Sequence, residues 1–473
     1  MTFRTLTVSL LFATATSAFA ADVGKEHEAI LAAKAMELFG ITKAIGASAE
    51  KSAEEGYRTE AQKPEDQVIL AEGLKAEYVT RNIANHADMI AFYPLANPTH
   101  AVVCIEADRE TLEGGKLNPG VQRVALADGK VETIVRGTSS CDGIRTTPWN
   151  TILFTEEDDD GAAYEILDPL KATEITITDR KKGEISDAAM VVKHAALPMM
   201  AWEGLTILPS GVVYAGDELR PGTSYPDRDG GAIFKFVPDK AAGPTIASLA
   251  ESPFAAGKVY AMQVSCTDKV QTGQGCETGN AAWVEVKASN ARITADIAAA
   301  TGYYRPEDLH QDLSYKGEGV RFCWTNTGNK GIKNWGEVMC AIDTLADSVE
   351  KGKQSVTVTR AIVGDSDFNQ PDNLEIHPTS GMLYVIEDNP NGDIWSCLPD
   401  GADRDVMSDG CVKILSVKDT SAEPTGFVFA ADGKTAYVNI QHSDDKAMPK
   451  VDGYGTDDLL KITGFGDVAP YAP

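Results

Sequence analysis

The chain has 473 residues, with 43 Lys plus Arg against 70 Asp plus Glu and a formal net charge of −27. That balance excludes the basic surface needed to bind nucleic acid or anionic lipid, because phosphates are repelled at long range. The length allows one large repetitive core or two to three average domains.

Residues 1–20, MTFRTLTVSLLFATATSAFA, have one basic residue, an apolar middle and a small-residue ending. They read as a secretory signal peptide cut before Ala21, too short for a spanning helix. The mature protein is expected in the periplasm or the medium, as a monomer with no membrane insertion. Residues 21–64 are rich in Ala, Glu and Lys, with apolar residues at helical spacing. They predict a short N-terminal helical segment lying against the main domain, with nothing catalytic in it.

From residue 65 to 473 the pattern changes to short Val/Ile/Tyr/Phe/Thr runs between Gly, Pro, Asp and Asn clusters, which is an all-β signature. A unit recurs: PWNTILFTEEDDDGAAYEILDP from Pro148, WEGLTILPSGVVYAGDE from Trp202, and PDNLEIHPTSGMLYVIEDNPNGDIWSCLP from Pro371. EPTGFVFAADGKTAYVNIQH from Glu423 is another copy, and Arg305 to Asp343 is a looser one. Each has an acid or polar residue, a strand, a Gly turn, a second strand and another acid or amide. This predicts a β-propeller, with six blades the best fit. The alternative architecture is an array of β-sandwiches.

In a propeller, equivalent positions of the inner strands converge on one axis. Glu156 or Glu157, Glu203, Glu307, Asp372 and Glu423 lie near the ends of predicted inner strands, and Glu218 and Asp388 end second strands. Converging carboxylates repel unless cations sit among them. All-oxygen donors suit Ca²⁺ or Mg²⁺, with Fe³⁺ also compatible. The run Glu156 to Asp160 is expected to contribute to this site rather than to form only a solvated loop.

Eight cysteines in an exported chain suggest disulfides. Local spacing pairs Cys266 with Cys276, Cys323 with Cys340, and Cys397 with Cys411. Cys104 and Cys141 either bond to each other or serve another purpose. His310 and His377 are expected to make structural hydrogen bonds, whereas His442 falls near the axial end of the last blade. DRDGG at 227–231 lacks the twelfth-position Glu of an EF-hand loop. There is no convincing zinc, nucleophile-elbow, P-loop or dinucleotide motif.

CDGIRTTPWNTILFTEE, YYRPED, FNQPDNLEI and EPTGFVFAADGKTAYVNIQH together resemble the signature segments of PhoX-type alkaline phosphatases, in the family's order, from about residue 70 to 442. The resemblance implies a six-bladed propeller with calcium and ferric iron on its axis, hydrolysing phosphate monoesters outside the cytoplasm. It implies that Cys141 ligates iron and that Glu203 and Glu307 ligate metal. Asp372 and Asn373 would belong to a calcium site, and Arg305 would grip the substrate phosphate. The expected metal set is therefore Cys141, Glu156, Glu157, Glu203, Glu307, Asp372, Asn373 and Asp388, with Arg305 and His442 on the substrate, a small phosphate ester. Against the family pattern, the first strand ends Cys104-Ile105-Glu106 without a histidine, and Asn150 and Thr155 replace a glycine and a cysteine. The new Cys104 offers Cys141 a disulfide partner in place of iron. Two other readings compete: a non-catalytic calcium-binding propeller and a calcium-dependent lactonase.

Overall fold

The computed structural model describes residues 29–52, 56–222, 229–241, 243–264, 277–399, 407 and 410–470. The predicted signal peptide and the predicted Cys266–Cys276 pair lie outside these residues. The described chain is nearly all strand, in five sheets set around a common axis like propeller blades. Twelve strands flank the axis, labelled in chain order: β1 Ala87–Tyr93, β2 His100–Ile105, β3 Cys141–Thr146, β4 Ile152–Glu156, β5 Trp202–Ile207 and β6 Val213–Asp217. They continue as β7 Pro306–Gln311, β8 Val320–Asn326, β9 Pro371–Ile376, β10 Leu383–Glu387, β11 Glu423–Phe429 and β12 Thr435–Gln441. The odd-numbered strands are the inner ones. They pack as neighbours in a closed ring, β1 to β3, β5, β7, β9, β11 and back to β1. Each is joined to the next strand by an antiparallel hairpin.

The sheets are not equal. β3 and β4 head a four-stranded sheet, and β11 and β12 another. β5/β6 and β7/β8 sit at the two ends of one long sheet, because Gly279–Val286 pairs with Val356–Val363. Two N-terminal strands complete blades built by distant sequence. Val68–Leu70 edges the β9/β10 sheet, and Lys75–Ala84 pairs with Thr456–Thr463 beside β12. Lys75–Ala84 and the last strand thus share a sheet and close the ring. Arg58 and Arg81 both pair with buried Asp458 at this seam.

Each sheet is covered on both faces by its neighbours. β4, β6 and β10 are accordingly buried at every position and read as continuous apolar runs rather than alternating ones. Wedges of core lie between the blades; one stacks Tyr384 on Phe427 beside Phe429 and Phe465, another holds Tyr214, Trp283, Phe322 and Trp324. Full burial of each such side chain is worth about 1.5–3 kcal/mol. In the N-terminal segment the helix Ala35–Phe39 is short. The chain then passes along the β9/β10 sheet, bridging Lys43 to Glu72 and Ile45 to Lys413.

Cys323–Cys340 and Cys397–Cys411 are disulfides, as their spacing predicted. Cys104 and Cys141 are bonded to each other. The expectation that Cys141 ligates iron is therefore corrected. Cys104, at position five of β2, faces the first residue of β3 in the adjacent blade, and the bond consumes the thiolate that iron would need. The two residues are 37 apart in sequence, so replacing both with alanine is expected to cost about 3–4 kcal/mol of stability in equilibrium unfolding. The same substitution should leave metal content unchanged, and the native protein should show no sulfur-to-iron charge-transfer colour.

Candidate functional site

The six inner strands all begin at one end of the axis, and the six strands that follow them all end there. In β1, β3, β5, β7 and β9 the second residue is an acid: Asp88, Asp142, Glu203, Glu307 and Asp372; in β11 the first residue, Glu423, takes this place. Immediately after the ends of β2, β4, β6, β10 and β12 come Glu106, Glu157, Glu218, Asp388 and His442. In each of the six inner hairpins the register shifts just past the acid. Such irregularities re-aim a side chain, here toward the axis. His86, Ser140, Arg305 and Gln370, each directly before an inner strand, have φ between 43° and 68°. Left-handed backbone at non-glycine residues is costly and clusters where function needs it.

The result is a small cavity of about 160 Å³ whose lining residues are all polar or charged. One oxygen each from Glu203, Glu307 and Asp372 lies within 4.8 Å of the others. Asp88 Oδ1 and both Asp142 oxygens are buried with no hydrogen-bond partner among the described residues. Gln441 Nε2 donates to Glu106 at 2.7 Å and to Asp88 at 3.2 Å. Thr327 Oγ1 donates to Glu307.

Burial, reinforced by neighbouring carboxylates, pushes these acids up. Asp88, Glu157, Glu203 and Asp372 lie well above the ordinary carboxylate range. Burial takes Asp142 to about 7, Glu307 to about 8 and Glu423 to about 7. A site that would rather hold protons than bare charge also welcomes cations. The donors are hard oxygens in a tight cluster, two of them carrying unpaired buried atoms, so the residues fit a calcium-type ion.

Two cations of the chain face these acids. Arg305 donates through Nε to Glu218, and its Nη atoms lie 3.3 Å from Glu307 and 3.7 Å from Asp388. His442 sits 3.2 Å from Glu423 and edge-on to His86, ring centroids 4.7 Å apart. Burial opposes its charge, but Glu423 and other acids win and raise it to about 9, while burial and the charge of His442 lower His86 to about 4.

The structure thus brings together Glu157, Glu203, Arg305, Glu307, Asp372, Asp388, Glu423 and His442 of the expected residues. Three others are elsewhere. Cys141 is in its disulfide. Glu156 points away from the axis and accepts from Arg180 Nε at 2.7 Å and from the Ser139 amide at 3.1 Å. Adjacent residues of an extended chain face opposite ways, so only one of Glu156 and Glu157 can reach the axis. Asn373 is turned outward from Asp372 for the same reason, and its Oδ1 accepts from the Gly426 amide of β11 at 2.6 Å. The rest of the acidic run also faces outward: Asp158 and Asp160 pair with Arg180, and Asp159 with Arg292. His377 makes a structural hydrogen bond to Gly433 O at 2.9 Å.

Sequence reading missed Asp88, Glu106, Asp142 and Gln441 as members. The signal for two of them was present: Asp88 and Asp142 hold the same second-residue position as Glu203, Glu307 and Asp372. Aligning the units on their strand starts would have found both.

A family model for alkaline phosphatase PhoX matches residues 117–444. Among solved structures, Pseudomonas fluorescens PhoX in complex with vanadate, a transition-state analogue, is similar at 16% identity and a TM-score of 0.58, over 90% of this chain and 100% of that one. A candidate gluconolactonase is similar at 9% identity and a TM-score of 0.43, over 86% of this chain and 98% of that one. A PQQ-bound aldose sugar dehydrogenase from Streptomyces coelicolor is similar at 13% identity and a TM-score of 0.43, over 82% of this chain and 98% of that one. No curated protein sequence matches this chain. The matched segment starts after β2 and contains β3 and all of the remaining inner strands, and with it the chain belongs to the alkaline phosphatase PhoX family and is a phosphatase.

Proposed function

We propose that the axial cavity holds calcium among its carboxylates and hydrolyses phosphate monoesters there, in the periplasm or the medium, with the protein acting as a monomer. The observation that carries this reading is the set of buried, partnerless oxygens on Asp88 and Asp142 among converging acids. Buried charge without a partner is costly, and a divalent ion is the partner that this oxygen set suits. The axis is best read as six-bladed, since six inner strands ring it even though two blades share one sheet. Ferric iron, also an oxygen-preferring ion, would be held by carboxylates alone, because Cys141 is unavailable.

Glu203, Glu307 and Asp372 would be the central ligands, with Asp142, Glu157 and Asp388 close by. The bound cations supply charge neutralisation for the phosphoryl oxygens and an acidic environment for an attacking oxygen. Arg305 presents a planar fork that matches two phosphoryl oxygens, a geometry that a point charge cannot reproduce. His442, charged at neutral pH, is the second cation available to the ester. Neutralising cations explain how a chain of net charge −27 takes an anionic substrate.

The test is chelation. Dialysis against EGTA should abolish hydrolysis of p-nitrophenyl phosphate and lower the melting temperature, and added calcium should restore both by mass action. Elemental analysis of the untreated protein should find calcium. Full activity and an unchanged melting curve after thorough chelation would overturn the metal assignment.

A further inference from the structure

Three chain segments leave the propeller side by side at the acidic end of the axis: Asn85 and His86 before β1, residues 106–118 after β2, and residues 442–455 after β12. Between them lies a second cavity of about 410 Å³. It shares no lining residue with the axial cavity but adjoins it across the paired rings of His86 and His442. The amide of Glu106, which lines the axial cavity, donates to His86 O at 2.8 Å and holds that partition in place.

Both walls are small hairpins. Val451 and Tyr454 exchange two backbone hydrogen bonds of 3.0 Å around Asp452 and Gly453, whose φ angles are 54° and 77°. An Asp-Gly pair with both residues left-handed is a favoured two-residue turn, and here it presents Tyr454 to the cavity. In the facing hairpin Thr111 bridges Leu117, and this wall carries Glu110 and Glu113. Lys116 Nζ lies 3.3 Å from Asp452 Oδ1 and ties the two hairpins together.

The axial cavity, at about 160 Å³, is smaller than the ~300–1,000 Å³ of ordinary small-molecule pockets. It has room for cations and a phosphoryl group, so the rest of an ester must project past its mouth. The adjoining cavity falls within the ordinary range. We propose, resting on the reading of the axial cavity as the phosphatase centre, that this adjoining cavity holds the ester's leaving group and selects a neutral alcohol with several hydroxyls, which makes sugar phosphates the substrate class.

The selection follows from which groups are free. The side chains of Glu110, Glu113, Lys450 and Tyr454 make no hydrogen bond or ion pair among the described residues. Asn85 Oδ1 accepts from the His86 amide at 3.0 Å, which leaves Nδ2 to donate. The walls therefore offer acceptors on Glu110 and Glu113 and donors on Lys450, Tyr454 and Asn85. A hydroxyl both donates and accepts, so a ligand with several of them can use both sets. A second anionic group would meet Glu110 and Glu113, and an ammonium would meet Lys450 and use the acceptors alone. A hydrocarbon would leave every one of these groups unmatched. The rings of Tyr454 and His86 add flat apolar faces for the C–H side of a sugar.

Turnover of glucose 6-phosphate, cyclohexylmethyl phosphate and phosphocholine by the mature, calcium-loaded protein tests this. The first two share a leaving-group skeleton and differ chiefly in their hydroxyls. The expected kcat/KM for glucose 6-phosphate is at least about tenfold above that for either other ester, the worth of one or two hydrogen bonds. Tyr454→Ala and, separately, Glu110→Ala should cut that preference to below about threefold, chiefly by raising KM for glucose 6-phosphate. Glu110 is exposed, so if Tyr454→Ala disturbs its turn, Glu110→Ala still decides. Equal or faster turnover of cyclohexylmethyl phosphate or phosphocholine, or a preference that survives both substitutions, would overturn the assignment. Were the axial cavity not the phosphatase centre, chelation would spare hydrolysis of all three esters; were the selection absent, calcium-dependent hydrolysis would persist without preference.

Discussion

Arg305→Ala is expected to lower kcat/KM for p-nitrophenyl phosphate by about 10²–10³-fold, the usual loss when one donor to developing charge is removed. Inhibition by free phosphate should weaken in parallel. The response to calcium separates a substrate role from a structural one. Arg305 neutralises part of a cluster formed by Glu218, Glu307 and Asp388. Without it the cavity is more negative, so the metal-free variant should melt earlier while its stabilisation by calcium is retained or enlarged. Arg305→Lys keeps the charge but not the fork and should recover stability more than activity. An alanine variant of normal kcat/KM would remove Arg305 from the substrate site.

The metal-free protein is expected to lose stability as pH rises from about 5 to 8.5, by about 10 °C or more in melting temperature. Burial first, and like charge second, lift Asp142 and Glu423 to about 7 and Glu307 to about 8. A carboxyl whose folded pKa is raised binds its proton more tightly in the folded state. Its stabilising contribution is thus fully present below about pH 4 and is lost as pH climbs through 7 to 8. A shift of about three units in one acid corresponds to on the order of 4 kcal/mol. The set is not additive, since protonating one member relieves the next. Asp308 and Glu165 work the other way: for both, burial is outweighed by basic partners, His310 and Arg145 for the first and His194 for the second, and their contribution is lost toward acid. The optimum of the metal-free protein should therefore sit near pH 5. Saturating calcium pairs the axial charges and should flatten the decline toward pH 8.5. A stability curve that rises from pH 5 to 8.5 without metal would contradict the buried-acid account.

Much of this protein was legible along the chain. The repeated order of polar residue, strand, Gly turn and strand exposed the blade-like units, because each turn and each fully apolar run is a local property. Glu203, Glu307 and Asp372 could be chosen as a group for the same reason: they recur at one position of the unit. The pairing of Cys323 with Cys340 and of Cys397 with Cys411 follows from short loops between adjacent antiparallel strands.

Other features depend on what each strand packs against. Blade count is blurred because Gly279–Val286 pairs with Val356–Val363 and fuses two blades, a contact between segments about 75 residues apart that no local pattern encodes. Asp88 and Asp142 hold the recurring second-residue position of their strands, but where those strands start is fixed by pairing with the strand that follows, and Glu106 lies just past the end of such a strand.

By itself the sequence determined the all-β class, the recurring unit, the family and the convergence of acids on one axis, since these rest on periodicity and on residues at equivalent positions. Only the tertiary structure decided that Glu157 and not Glu156 faces that axis, that Asn373 turns to the next blade, and that Cys141 is bonded to Cys104. Side-chain direction alternates residue by residue and shifts at every irregularity in the pairing, so it is set by the partner strand; and whether two sulfurs meet depends on how adjacent blades sit, 37 residues apart in the chain but neighbours around the ring.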